Sequence, residues 1–220
     1  MRRRRPGAAG GVTLIIAVDG PAAAGKGTLA KRLAAHFGLP HLDTGLLYRA
    51  TGRSVLEAGG DTADPAVAEA AARALAPADL ARADLRGPTA DAAAADVASI
   101  PGVRAALLDF QRGFAVGRGA VLDGRDIGTV VFPNAAAKLF VTASPEARGR
   151  RRWLELRALG IAADLDAVTA QVRLRDAQDR DRAAAPLVAA PDALLLDTTE
   201  LDAEATFSRA LDLVRSRLRA

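Results

Sequence analysis

Residues 17–33 read AVDGPAAAGKGTLAKRL, and their interpretation decides the fold. An apolar run closes on Asp19, a loop of small residues follows, and the next charged side chain is Lys26. Upstream, VTLIIAVD is β-branched and continuously apolar, the pattern of a central strand buried on both faces. Downstream, GKGTLAKRLAAHFG spaces Leu29, Leu33 and Phe37 along one side of a helix that Gly38 stops. Between them, Gly20, Pro21, Ala22, Ala23, Ala24, Gly25, Lys26, Gly27 and Thr28 satisfy GxxxxGK in the strand–loop–helix context that makes such a loop a phosphate cradle. Gly20 and Gly25 let backbone N–H groups turn inward, the helix start adds partial positive charge, and Lys26 reaches the outer phosphates. Gly27 stands where most such loops carry Ser or Thr, and the hydroxyl follows one position later at Thr28.

The chain around this loop has 220 residues, enough for one well-buried domain with an insertion. Half of it is apolar but only 4% is aromatic, so Ala, Val, Leu and Ile must build the core. Net charge is +4, and Lys26, Lys31 and Lys138 are the only lysines among 30 basic residues. Arginine therefore carries the positive charge, and its two-pronged geometry suits a polyanion; genome-wide codon bias would produce the same excess. With no cysteine, disulfides, thiol nucleophiles and Cys-based metal sites are excluded. The start MRRRRPGAAGGVTLIIAV shares features with an export signal, but Asp19 interrupts the apolar run and cleavage would cut the glycine loop. A disordered Arg-rich arm over residues 1–11, ahead of a single domain over 12–220, is the expectation. No stretch approaches the roughly eighteen apolar residues that span a membrane.

Further apolar runs at AVLDG (120–124), AKLFVTA (137–143) and DALLLDT (192–198) predict strands. SPEARGRRRWLELRALG predicts a helix capped by Ser144, with Pro145 in its first turn and Gly160 at its end. More helices are expected over about 165–182 and 203–218. Strands alternating with helices imply an α/β fold with a parallel sheet covered on both faces, whose ligands bind at the carboxyl ends of the strands. Residues 59–97, rich in Ala and Asp and interrupted by Pro65, Pro77 and Pro88, predict a small, helical, mobile insertion.

Four longer stretches add specificity: LDTGLLYRA (42–50), DGRDIGTVVFP (123–133), LFVTASPEARGRRRWLEL (139–156) and RLRDAQDRDRAAAPL (173–187). Together with the glycine loop they resemble the bacterial cytidylate kinases, from about Thr13 to the C-terminus and least between 59 and 97. The resemblance implies a P-loop kinase: three layers, an acceptor-binding insertion at about 59–97 and a helical lid at about 146–162. It implies transfer of the γ-phosphoryl group of ATP to CMP or dCMP in the cytoplasm, by a monomer with no membrane or specific nucleic-acid partner. Mg2+ would be held mostly by water and phosphate, with no protein metal ligand assigned. Both reactants are phosphate esters, so catalysis needs cations around the transferring group and no protein nucleophile. By the family pattern Thr44, Arg49 and Arg125 hold the acceptor phosphate, while Arg104 and Asp126 take the cytosine edge. Asp126 accepts from the exocyclic amine that uracil lacks.

Arg175, Asp179 and Arg182 share a helix face at i, i+4 and i+7. The family uses matching residues around sugar and base, whereas spacing alone favours a solvated ion-pair ladder, and only the surrounding motif reverses that reading. Arg148, Arg150, Arg151 and Arg152 fall in the lid, with Arg151 and Arg152 as the family's catalytic pair. Asp123 either orients magnesium or its waters or anchors the turn. His36, His41, Tyr48 and Trp153 read as structural. Two features depart from the family: Ala95 stands where a base-contacting Ser is usual, and the insertion is short. Other small-acceptor kinases, acting on UMP, AMP or shikimate, remain alternatives, as does a nucleotide-dependent regulatory module using Arg2–Arg5 on nucleic acid.

Overall fold

The structure is a computed structural model and describes residues 14–182 and 184–219. The expected arm at 1–11 lies outside the described residues. Five strands, β1 (Ile15–Asp19), β2 (His41–Asp43), β3 (Ala120–Gly124), β4 (Ala137–Thr142) and β5 (Leu194–Asp197), form one sheet in the order β2-β3-β1-β4-β5. Every neighbouring pair is parallel. Four of the five lie on the apolar runs predicted from sequence. β2 does not, because three residues with one apolar side chain, Leu42, leave no periodic signal.

Alternation along the strands sorts side chains to two cores. Ile15, Ala17, Leu42, Ala120 and Leu122 face one side, where α2 (Thr44–Glu57) and α5 (Pro101–Ala115) contribute Leu47, Val55, Val103 and Leu107. Ile16, Val18, Val121, Leu139 and Val141 face the other, against Leu29 and Leu33 of α1 (Lys26–Phe37) and Ala210 and Val214 of α8 (Ala203–Arg219). Each fully buried Val, Leu or Ile among these contributes about 1.5–3 kcal/mol. Helices therefore cover both faces, as the strand–helix alternation predicts.

Between α2 and α5 lie α3 (Pro65–Ala74), two short 3-10 turns at Pro77–Ala81 and Ala83–Leu85, and α4 (Pro88–Ala98). Pro65, Pro77 and Pro88 each open one of these elements, in the first turn where a missing N–H costs nothing. The insertion is helical, and its Ala68, Ala72 and Val97 enter the first core. Alanine-rich α4 approaches α2 closely: a Cβ on Gly52 would lie 2.7 Å from that of Ala93. Beyond β4, α6 (Pro145–Ala158) and α7 (Leu165–Asp181) pack as a pair. Ser144 caps α6 by accepting from the Ala147 amide, and Asp164 caps α7 by accepting from that of Ala167.

Candidate active site

The glycine loop joins β1 to α1 at the carboxyl edge of the sheet. Gly20 is required by proximity, since a Cβ there would run into the Val141 carbonyl of β4, and its φ is +146°. Ala23 and Gly25 adopt left-handed conformations, with φ of 58° and 85°, of the kind that turns successive amides into an anion-binding concavity. The Ala22 carbonyl accepts from Arg148 at 3.3 Å and that of Ala24 from the Thr198 hydroxyl at 3.4 Å. A trans peptide sets C=O and N–H on opposite sides, so these bonds turn the amides of Ala23 and Gly25 away from Arg148 and Thr198. Gly25 caps α1 without a side-chain acceptor, and no acidic residue sits in the first turn. The N-terminal amides of α1 thus keep their affinity for an anion.

Lys26 is buried and donates to the Pro21 carbonyl at 2.7 Å. Burial, aided by the Arg125 charge and opposed by Asp123, Asp19 and Asp43, lowers its pKa to about 7. Gly27 has room for a side chain: a Cβ would sit 3.8 Å from Asp123 Oδ2. Thr28 is exposed on the first turn of α1.

Three strands carry a carboxylate at or next to their carboxyl ends, beside this lysine. Asp43 of β2 is in register with Asp123 of β3, and Asp19 of β1 with Gly124. Burial, together with the neighbouring Asp123 charge, raises the Asp43 pKa. Asp123 meets His41 Nε2 at 2.6 Å, and its carbonyl accepts from the Thr44 hydroxyl at 2.8 Å. Asp19 accepts from the Ile127 and Gly128 amides at 2.8 and 2.7 Å, and burial raises its pKa to about 6. It thereby fixes the π-helical turn Ile127–Val131 that follows Arg125 and Asp126. Neither Asp19 nor His41 stood out as a site residue in the sequence. The one available signal for Asp19 was a lone carboxylate closing an apolar strand.

Asp179 of α7 gathers Arg125, Arg175 and Arg182. Arg125 Nε donates to it at 2.7 Å, Arg175 Nε lies 3.3 Å away, and Arg182 pairs with it directly. Asp179 is 0% exposed, so this is a buried cluster and not a solvated ladder. Burial alone would raise its carboxyl pKa, but the charges of Arg125 and Arg175 hold it below the ordinary range. Arg104 of α5 pairs with Asp126, and its guanidinium lies 5.6 Å from the Tyr48 ring centre.

The four arginines Arg148, Arg150, Arg151 and Arg152 of α6 part company. Arg148 is buried and binds Asp176 through both terminal nitrogens, at 2.8 and 2.5 Å, while its Nε donates to the Ala143 carbonyl at 2.8 Å. It pins α6 to α7 and to the glycine loop. Arg150 is exposed. Arg151 turns toward β5, donating to the Thr198 hydroxyl at 3.0 Å and the Thr198 carbonyl at 2.5 Å. Arg152 faces the insertion and pairs with Asp91, which also accepts from Arg49 Nε at 2.9 Å. Asp91 carries no recognisable motif and was not legible as a site residue. Ala95 lies one turn further along the same helix, half-buried.

A parallel sheet wound by helices, with a glycine loop at its carboxyl edge opposite a wall of arginines, defines a P-loop kinase fold. The family model for cytidylate kinase matches residues 16–216, and the chain belongs to the cytidylate kinase family. It is 63% identical to a cytidylate kinase of Acidiphilium cryptum (strain JF-5) over 205 residues, covering 93% of this chain and 97% of the relative. It is 60% identical to one of Paramagnetospirillum magneticum (strain ATCC 700264 / AMB-1) over 210 residues, covering 94% and 100%. Among solved structures, an uncharacterized protein from Eubacterium ventriosum ATCC 27560 shares the fold, with a TM-score of 0.55 at 12% identity over 92% of this chain and 99% of that one.

Proposed function

We infer that this chain transfers the γ-phosphoryl group of ATP to CMP or dCMP, giving ADP and CDP or dCDP. A phosphate oxygen of the acceptor forms the new bond to phosphorus, and the bond to the β-bridging oxygen breaks and leaves ADP. The observation that carries this reading is the convergence of an uncapped glycine loop and Lys26 with Arg125 and the Asp179 cluster at one edge of the sheet, in a chain that matches cytidylate kinases almost end to end.

The loop amides and Lys26 would hold the donor phosphates, Thr44, Arg49 and Arg125 the acceptor phosphate, and Arg151 and Arg152 the charge that develops between them. Arg104 and Asp126 would face the cytosine edge, while Arg175, Asp179 and Arg182 bound the sugar. Among the described residues no group of three or more acidic or histidine side chains is placed to hold a metal. Mg2+ would be carried mainly by phosphates and water, near the crowded carboxylates Asp43 and Asp123. When bound, it would neutralise charge on the β- and γ-phosphates. Among the described residues no helix is long and apolar enough to cross a membrane. The reading extends to a monomer working in the cytoplasm.

The test is ADP formation from ATP and magnesium with CMP, dCMP, UMP, AMP and shikimate offered separately. Stimulation confined to CMP and dCMP is expected. An equal response across the panel, or none, would overturn the assignment.

A further inference from the structure

Asp91 is an acidic residue set among candidate phosphate ligands. From α4 its Oδ1 accepts from Arg49 Nε of α2 at 2.9 Å, and its Oδ2 pairs with the Arg152 guanidinium of α6. Its carbonyl accepts from a terminal nitrogen of Arg175, on α7, at 3.4 Å. One residue of α4 thus connects arginines from three helices, α2, α6 and α7. A small pocket lined by Asp43, Arg49, Arg86, Asp91 and Arg152 surrounds the contact.

Exposure separates this carboxylate from the other two that hold site arginines. Asp126 and Asp179 have side chains only 9% and 1% exposed, so these two carboxylates lie in the packed interior. The Asp91 side chain is 34% exposed, Arg49 30% and Arg152 19%. Water reaches the pair, so it is weak and exchangeable. A guanidinium binds carboxylate and phosphate with the same forked geometry, and the phosphate brings more charge.

We propose that Asp91 is a positioning residue that acts as a stand-in anion. It holds Arg49 and Arg152 together in the ligand-free protein and yields Arg49 to the acceptor phosphate when that phosphate arrives. The proposal rests on the nucleoside monophosphate kinase reading given above. Asp91 then sets acceptor affinity, because each acceptor must displace it, and it links acceptor binding to release of Arg152 from the insertion. Donor binding, assigned to the glycine loop and Lys26, is left alone.

The experiment measures KM and kcat for CMP and for ATP in the wild type, Asp91→Asn, Asp91→Glu, Arg49→Ala and the Arg49→Ala/Asp91→Asn double variant, with thermal melts to establish folding. Asp91→Asn is expected to lower KM for CMP about three- to fivefold, the factor that a partly exposed ion pair is worth. KM for ATP should hold, kcat should stay within about twofold, and Asp91→Glu should restore the wild-type KM. With Arg49 already removed, Asp91→Asn should shift KM for CMP no further. An unchanged or raised KM for CMP in folded Asp91→Asn would overturn the proposal, as would the same shift in the absence of Arg49. A wild type without CMP-dependent turnover would overturn this proposal together with the reading beneath it.

Discussion

The proposed donor and acceptor halves of the site are made of different material. On the proposed donor side the groups that would face phosphate are backbone amides, set by Gly20, Ala23 and Gly25 and by the start of α1, joined by the charged side chain of Lys26. On the proposed acceptor side they would be side chains from α2, α5, α7 and the turn after β3, and each of these arginines is already matched to a carboxylate. A backbone cradle needs no counter-charge to fold, because an amide carries only a partial one. A wall of arginines would repel itself, and Asp179, Asp126 and Asp91 offset that repulsion before any substrate is present. The same comparison predicts opposite stability effects on the two sides: the buried lysine opposes folding in its charged form, and the buried aspartate supports it.

The largest expected effect is on the acceptor side. Asp179→Ala would leave Arg125, Arg175 and Arg182 without their shared partner, at about 3–5 kcal/mol of stability, measurable by urea unfolding. A loss below about 1 kcal/mol would mean that the cluster is solvated and the contrast misplaced.

On the donor side, Lys26→Met is expected to lower kcat by about 10²–10³-fold while the protein stays folded. Its stability should move the other way. Lys26 has a pKa near 10.5 when unfolded and about 7 when folded, so between these values the unfolded state binds more protons and wild-type stability rises with pH. The wild type should gain on the order of 1 kcal/mol over Lys26→Met for each pH unit in that window. Parallel stability profiles for the two proteins would refute the assignment of a depressed lysine. The smallest effect follows from the same group. Phosphate favours the charged lysine, so ATP binding at pH 8 should take up a fraction of a proton, seen by calorimetry in buffers of different ionisation heat and lost in Lys26→Met.

This division also explains what could be read from the sequence. β1, the glycine loop and α1 are contiguous, and the order of small, apolar and charged residues within about twenty positions dictates them. The caps Ser144 and Asp164 and the stop at Gly38 are equally local. The acceptor side joins residues far apart in the chain: Arg125 and Asp179 are separated by 54 positions, Arg152 and Asp91 by 61. Resemblance to a family pointed to Arg104, Arg125, Asp126 and Asp179, but no spacing rule showed that they pair with one another. Asp91, in an alanine-rich helix, and Asp19, whose partners are amides 108 and 109 residues away, had no local signature. β2 escaped because a three-residue strand is too short to show a period.

The most direct test of the division is the ratio of kcat/KM for CMP to that for UMP, measured for the wild type, Lys26→Met and Asp126→Ala. Donor and acceptor duties are separate in this account, so Lys26→Met should depress turnover with both acceptors equally and leave the ratio unchanged. Asp126→Ala should lower the ratio about tenfold or more by removing the acceptor for the cytosine amine. A ratio that falls in Lys26→Met, or that survives Asp126→Ala, would contradict it.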